Sequence, residues 1–270
     1  VGIFINQPPV GFSVSSSQIV LNNCAGEVVS SGPRETFCQG SWQFPFGTDG
    51  RGQPLDEVVL SGSRPVVYAV GITVGLIVPL AVAVGVTAGY YGGLTDDLLM
   101  AYVDFQLSVP AVLVYLIVYI FIANSPFVFV VAFGLLSWGS IARLVRSETL
   151  KQREEGFVTS ARAVGASDLT IIRRHILPNI TNSVIPAAFH LSAIIILTEA
   201  GLSFLGFSAF EQSWGLTIGD SLQNQSGTAL DVWWVATFPA AALALTVVSL
   251  KIAGDELRDL ADPQGGPEYE

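Results

Sequence analysis

The side chains able to do chemistry are few and scattered. The two histidines, His175 and His190, stand fifteen residues apart, unlike a His-Glu-x-x-His pair that holds a metal on one helical face. Neither is near Cys24 or Cys38, so the thiols lack imidazole partners for a metal site. A phosphate cradle needs Gly-x4-Gly-Lys-Ser/Thr, whereas Lys151 and Lys251 both follow leucine. The chain is therefore not expected to hydrolyse ATP. Ser203, within the run Gly201 to Gly206, invites a nucleophile reading, but no base stands at a workable spacing, and small residues there suit close helix packing. Asp104, His190 and Glu199 fall in apolar surroundings, where an ionisable group is a candidate for a solute path. Asp104 and Glu199 lie near the ends of apolar runs, where a structural hydrogen bond within reach of water competes with that role. His190, among Ala187, Ala188, Ser192 and Ala193, fits a cavity wall or a bond to a facing helix equally well. No catalytic residue and no metal or cofactor of the chain's own is expected.

The elements that would position these groups follow from composition. Half of the 270 residues are apolar and 13% are charged, a balance suited to a lipid solvent. Between Arg64 and Asp96 there is no Asp, Glu, Lys, Arg or His, and Val66 to Val86 contains twelve Val, Ile and Leu. At about 0.3–0.6 kcal/mol each, these favour the bilayer by roughly 4–7 kcal/mol. About 20 apolar residues cross the hydrocarbon core as a helix, and further spans are expected near 103–123, 127–144, 182–204 and 232–253, the second and third joined by Asn124, Ser125 and Pro126. Backbone groups in lipid must pair within their own segment, so the fold class is an all-α, polytopic transmembrane helix bundle.

Basic residues give the orientation. Seven of the twelve Lys and Arg lie between Arg143 and Arg174, which predicts a cytoplasmic loop. Residues 205–231 carry Glu211, Asp220 and Asp231 without Lys or Arg, which predicts an external loop. The resulting plan has an extracytoplasmic segment 1–65, a transmembrane domain 66–262 with a cytoplasmic loop 145–180 and an external loop 205–231, and an acidic cytoplasmic tail 263–270. The opening Val1 to Ile5 reads as the remnant of a missing first span. Cys24 and Cys38 would face oxidising conditions, where a disulfide contributes about 3 kcal/mol, with two unpaired thiols as the alternative. A net charge of −10 with two lysines suits a high-salt source and argues against a nucleic-acid partner.

The most informative stretch is Glu154 to Asn179, EEGFVTSARAVGASDLTIIRRHILPN. Phe157, Ala161 and Val164 recur at helical spacing, giving a short helix one narrow apolar face. Gly165 suits its C-terminus, Ser167 and Asp168 can cap a second helix, and Pro178 is expected to stop it. Such a helix can lie in a groove of another protein or rest on lipid headgroups, and the residues leave both open.

The stretch resembles the EAA loop of binding-protein-dependent permeases, outlined as Glu-Ala-Ala, three residues, Gly, then Ile-x-Leu-Pro. Ala161, Gly165, Leu177 and Pro178 are in register, while Thr159 and Ser160 replace the Glu and first Ala, and His175 takes the Ile position. The strings ARAVGAS and IIRRHILPN are similar to the C-type subunit of the peptide and nickel branch. The likeness runs over about 45–262, through GTDGRG, AGYYGG, IARLVRS, EAGLSFLG, SWG and GDELRDLADP, with Gln53 and Pro54 in place of the usual Arg-Asp. It implies a type I ATP-binding-cassette importer permease with the MetI-like fold, in the cytoplasmic membrane. It further implies a second homologous permease subunit, two cytoplasmic ATPase subunits that bind ATP-Mg, and an external solute-binding protein. The implied ATPase-coupling residues are Phe157, Thr159, Ser160, Ala161, Arg162, Gly165 and Ala166. The competing class is an ion-coupled secondary transporter or channel working through groups such as Asp104 and Glu199. No internal repeat supports that class.

Overall fold

The computed structural model describes residues 12–15, 18–21, 28–32, 35–38, 45–49, 53–121, 125–223 and 232–261. Apolar runs too long for a strand, with their backbone polar groups paired internally, give a predominantly helical chain. The helices are α1 (Leu55–Ser61), α2 (Arg64–Ile72), α3 (Val78–Tyr91), α4 (Gly93–Ser108), α5 (Ala111–Phe121) and α6 (Pro126–Leu136). They continue with α7 (Gly139–Glu154), α8 (Gly156–Ala163), α9 (Asp168–Ile171), α10 (Leu177–Phe204), α11 (Trp214–Gln223) and α12 (Trp233–Ala261). The N-terminal segment adds two antiparallel hairpins, β1 (Phe12–Ser15) with β2 (Gln18–Leu21), and β3 (Val28–Gly32) with β4 (Glu35–Cys38). Cys24 and the tail 263–270 lie outside the described residues, so the disulfide and tail remain expectations.

Among the described residues, three helical stretches are long and apolar enough to cross a membrane: Leu55–Tyr91, Asp168–Phe204 and Trp233–Leu260. Three boundaries differ from the sequence expectation. The run expected to span 103–123 is two helices, α4 and α5, bent by 65°. Pro110 accounts for this, since its ring has no N–H and biases Val109 to an extended backbone, which it adopts at ψ 117. The run expected over 127–144 ends as α6 at Leu136, breaks at Ser137 and Trp138, and restarts as the polar α7. The 11 residues of α6 rise only about 16 Å, short of the hydrocarbon thickness. Pro178, expected to stop a helix, sits near the start of α10, and helical structure continues from Asp168 to Phe204.

A widened turn explains why Pro178 is tolerated. Ile172–Ile176 is a π-turn closed by the Leu177 N–H on the Ile172 carbonyl, and Thr73–Ile77 is another, closed by the Val78 N–H on the Thr73 carbonyl. Each precedes a proline, Pro178 and Pro79. A proline ring collides with the carbonyl four residues earlier, here Arg174 or Gly75, and both lie inside the widened turns. The extra residue moves the offending carbonyl aside without ending the helix.

The chain divides into two compact units, one of Val1–Pro65 with Leu197–Thr246 and the other of Val66–Ile196 with Val247–Glu270. In the first, Leu55 and Val58 of α1 pack with Val232, Trp234 and Val235 at the head of α12. The Trp234 indole donates to the Thr48 carbonyl at 3.2 Å, and the Trp214 indole to the Val59 carbonyl at 2.7 Å. Helix α11 meets the end of α10 backbone to backbone. A Cβ at Gly215 would stand 2.0 Å from the Ala200 carbonyl oxygen, and one at Gly219 2.5 Å from that of Phe204. The small-residue packing expected at Gly201 to Gly206 is thus supplied by the Gly-x3-Gly of α11, because Gly201 and Gly206 themselves face open space.

The second unit is organised by a similar pair. A Cβ at Gly85 of α3 would lie 2.6 Å from the Ala142 carbonyl oxygen, and one at Gly89 2.8 Å from that of Arg146, both on α7. Helices α3 and α7 are locked at a distance only glycine permits. This contact joins two of the strings that carried the family likeness, AGYYGG and IARLVRS, and it fixes the base from which α8 projects.

Candidate functional site

The loop between α7 and α10 is built outward from that locked pair. At the end of α7 the Arg153 guanidinium donates to the Gly89 and Tyr90 carbonyls at 3.3 and 3.2 Å, supplying positive charge where α3 leaves its last carbonyls unpaired. Glu155 then adopts an extended conformation and α8 begins. Val158 is fully buried and seats the helix. Phe157 is 41% exposed and Val164 85% exposed, so α8 turns an apolar edge outward. The sequence reading found that edge but missed Val158, which falls between the positions it had counted. Phe157 also packs on the widened turn that precedes α10, its ring centroid 5.9 Å from that of His175 and tilted to it by 37°.

Gly165 ends α8 in the left-handed region, at φ +85. The Ala166 N–H reaches the Ala161 carbonyl at 3.1 Å and the Gly165 N–H that of Arg162 at 3.0 Å, a Schellman closure in which glycine carries no Cβ penalty. Ser167 then caps α9, its hydroxyl accepting the Thr170 N–H at 3.4 Å. Thr159, Ser160, Arg162 and Gly165 are exposed, and Ala161 and Ala166 are half-buried. The seven residues expected to couple therefore share one short, accessible element. Thr159 and Ser160, standing where the EAA outline has Glu and Ala, bond back to the Glu155 and Gly156 carbonyls of their own helix.

Beneath α8, one side chain that the sequence reading did not single out meets both halves of the loop. Tyr90, the penultimate residue of α3, donates its hydroxyl to Asp168 Oδ1 at 2.6 Å. Arg162 Nη2 donates to the Tyr90 hydroxyl oxygen at 3.5 Å, and its guanidinium carbon lies 5.8 Å from the Tyr90 ring centroid. Only the family string AGYYGG drew attention to this position, since an isolated tyrosine at the end of an apolar run carries no signal of its own.

The three ionisable candidates lie on two helices, Asp104 on α4 and His190 and Glu199 on α10. Asp104 is an exposed residue of α4 and pairs with Arg143 of α7. It borders an open cleft with Asp96, Asp97, Met100, Arg143 and Arg146. Arg146 binds the buried Asp96 through both its Nε, at 2.7 Å, and its Nη2. Hydrogen bonding to Asp96, followed by the nearby charge of Asp96 and Asp97, holds the Arg146 guanidinium above its ordinary pKa. Two ion pairs thus bridge α4 and α7 beside the Gly85–Gly89 contact. His190 is exposed on α10. Glu199 is only 3% exposed and accepts a hydrogen bond from Ser203 one turn along α10. The bond gives Ser203 a role without nucleophilic chemistry.

The long apolar stretches define a multi-pass helical membrane protein. The chain belongs to the family of binding-protein-dependent transport system inner membrane components, which matches it over residues 81–264. It is accordingly the membrane-embedded permease component of an ABC importer. A putative peptide transport system permease protein of Brucella suis is 36% identical over 246 residues, covering 88% of this chain and 81% of that protein. The glutathione transport system permease protein GsiD of Escherichia coli is 34% identical over 226 residues, covering 83% and 73%. Among solved structures, a chain of the MetNI methionine ABC transporter in an inward-facing form shares the fold at a TM-score of 0.60 and 16% identity, covering 77% of this chain and 98% of that one. An amino acid ABC transporter crystallised with histidines gives 0.57 at 16% identity, covering 76% and 94%.

Proposed function

We propose that this chain forms half of the translocation path of an ATP-driven peptide importer and that α8 is the element its ATPase grips. The observation that carries the reading is the exposed apolar edge of a helix closed by Gly165 and standing on the locked α3–α7 pair. An edge of this size suits a groove on a second protein, following helix-in-groove recognition. Phe157, Thr159, Ser160, Ala161, Arg162, Gly165 and Ala166 would make that contact. The excess of Lys and Arg from Arg143 to Arg174 supports a cytoplasmic position for it, with the C-terminus on the same side.

The complete importer would comprise this chain, a homologous second permease subunit, two cytoplasmic ATPase subunits binding ATP-Mg, and an external solute-binding protein, all organised around membrane lipid. This chain would contribute movement and a passage, and the hydrolysis would belong to its partners. Peptides are the proposed solute because the relatives above include permeases named for peptide and glutathione transport. The test is a charge at Ala161, in Ala161→Glu, with the assembled complex in proteoliposomes and ATP hydrolysis stimulated by loaded binding protein. Stimulation should disappear while the subunit remains inserted. Stimulation at the unaltered level would refute α8 as the gripped element, and transport driven by an ion gradient without ATPases would favour the secondary-transporter class.

A further inference from the structure

We infer that Tyr90 is the positioning residue through which movement of the α8–α9 loop reaches the membrane helices. The inference rests on the coupling role proposed for α8, and it names where the force enters the bundle. Tyr90 is 5% exposed, and its backbone is held from two directions. Glycines one and five residues earlier press α3 against α7, and Arg153 clasps the Gly89 and Tyr90 carbonyls. Tyr90 therefore cannot yield independently of α3 and α7.

On its outer side, the same phenol is the meeting point of the two loop helices. Arg162 comes from the last turn of α8 and Asp168 from the first residue of α9, on either side of the Gly165 turn. The 2.6 Å bond to Asp168 is charge-assisted and short, so it resists stretching, whereas the Arg162 contact at 3.5 Å and over the ring can slide. A tilt of α8 that carries Asp168 with it must either break that bond or pull on the end of α3. Because α9 opens the helical stretch Asp168–Phe204, the bond also links two apolar stretches, Leu55–Tyr91 and Asp168–Phe204, at their loop ends.

The test uses the full importer in proteoliposomes, with its solute-binding protein loaded with dialanine or with glutathione. Tyr90→Phe removes one oxygen and keeps the ring, so the ATPases should still copurify. The ratio of stimulated to unstimulated ATP hydrolysis should fall roughly tenfold, equivalent to about 1.4 kcal/mol and on the scale of one hydrogen bond to a charged group. Asp168→Asn retains an acceptor oxygen but loses the charge, so the ratio should fall only about threefold, whereas Asp168→Ala should match Tyr90→Phe. The double variant Tyr90→Phe with Asp168→Ala should be no worse than either alone. An unchanged ratio in Tyr90→Phe, or additive losses in the double variant, overturns the inference. Ala161→Glu run in parallel separates the two failures. If it abolishes stimulation while Tyr90→Phe does not, only the Tyr90 link is wrong; if neither has an effect, the coupling role of α8 falls as well.

Discussion

Replacing Gly215 by alanine should destabilise the chain, although alanine is the better helix former. The alanine Cβ would stand 2.0 Å from the Ala200 carbonyl oxygen and 2.7 Å from the Ala200 carbonyl carbon and Cα. An ordinary C–H···O contact lies at about 3.3 Å, so the backbones of α11 and α10 must part by roughly 1.3 Å. All three opposing atoms are main chain, and no side-chain rotation relieves the collision. Overpacking of this kind costs about 1–3 kcal/mol, against a propensity gain of up to about 1 kcal/mol for Gly→Ala within a helix. The net expectation is a loss of up to about 2 kcal/mol. Gly201 provides the opposite case on the neighbouring helix, since a Cβ there meets nothing within 4 Å and only the propensity gain remains. Unfolding of the detergent-solubilised chain, followed by tryptophan fluorescence, reads both, and Trp214 beside the contact reports the separation locally. Gly219→Ala, facing the Phe204 carbonyl oxygen at 2.5 Å, should repeat the sign of Gly215→Ala. If Gly215→Ala proves as stable as Gly201→Ala, the close approach of α11 to α10 is refuted.

The two ion pairs between α4 and α7 should differ in worth. Asp96→Asn removes a two-pronged bond to Arg146 from a carboxylate whose side chain is 12% exposed, and should cost about 1–3 kcal/mol in the same unfolding measurement. Asp104→Asn breaks a pair exposed by more than half on both sides, and should cost at most about 1 kcal/mol. Equal losses would show that burial does not set the difference. At Gly165, φ +85 with open space around it makes the penalty purely one of backbone, about 1–2 kcal/mol for a β-branched residue. Gly165→Asn should therefore retain solute-stimulated ATP hydrolysis where Gly165→Val loses it, and equal loss in both would point instead to a lost contact with the ATPase.

Much of this protein is legible from one dimension. Membrane residence follows from uninterrupted apolar runs, because each residue's transfer energy adds independently of its neighbours. The helix at 156–163 with its closing glycine follows from local spacing, because a Schellman turn depends on the backbone of only six residues. The family follows from ordered strings such as AGYYGG and IARLVRS. Local rules misled where a widened turn could absorb their violation. Pro178 was expected to end a helix, but one extra residue in the preceding turn cleared the carbonyl it would have struck.

What sequence alone determined is therefore the solvent, the helical class, the family and which residues form the loop, all properties set by composition or by contacts within a few residues. Tertiary structure alone decided which glycines bring backbones together, Gly85 and Gly89 or Gly215 and Gly219 in place of Gly201 and Gly206. It also decided that Val158 seats α8, that Asp104 answers Arg143 while Asp96 answers Arg146, and that Tyr90 meets Asp168 from 78 residues away. Each of these depends on the angle and distance at which two helices cross. Side-chain chemistry allows many partners, and only the packing of whole helices selects among them.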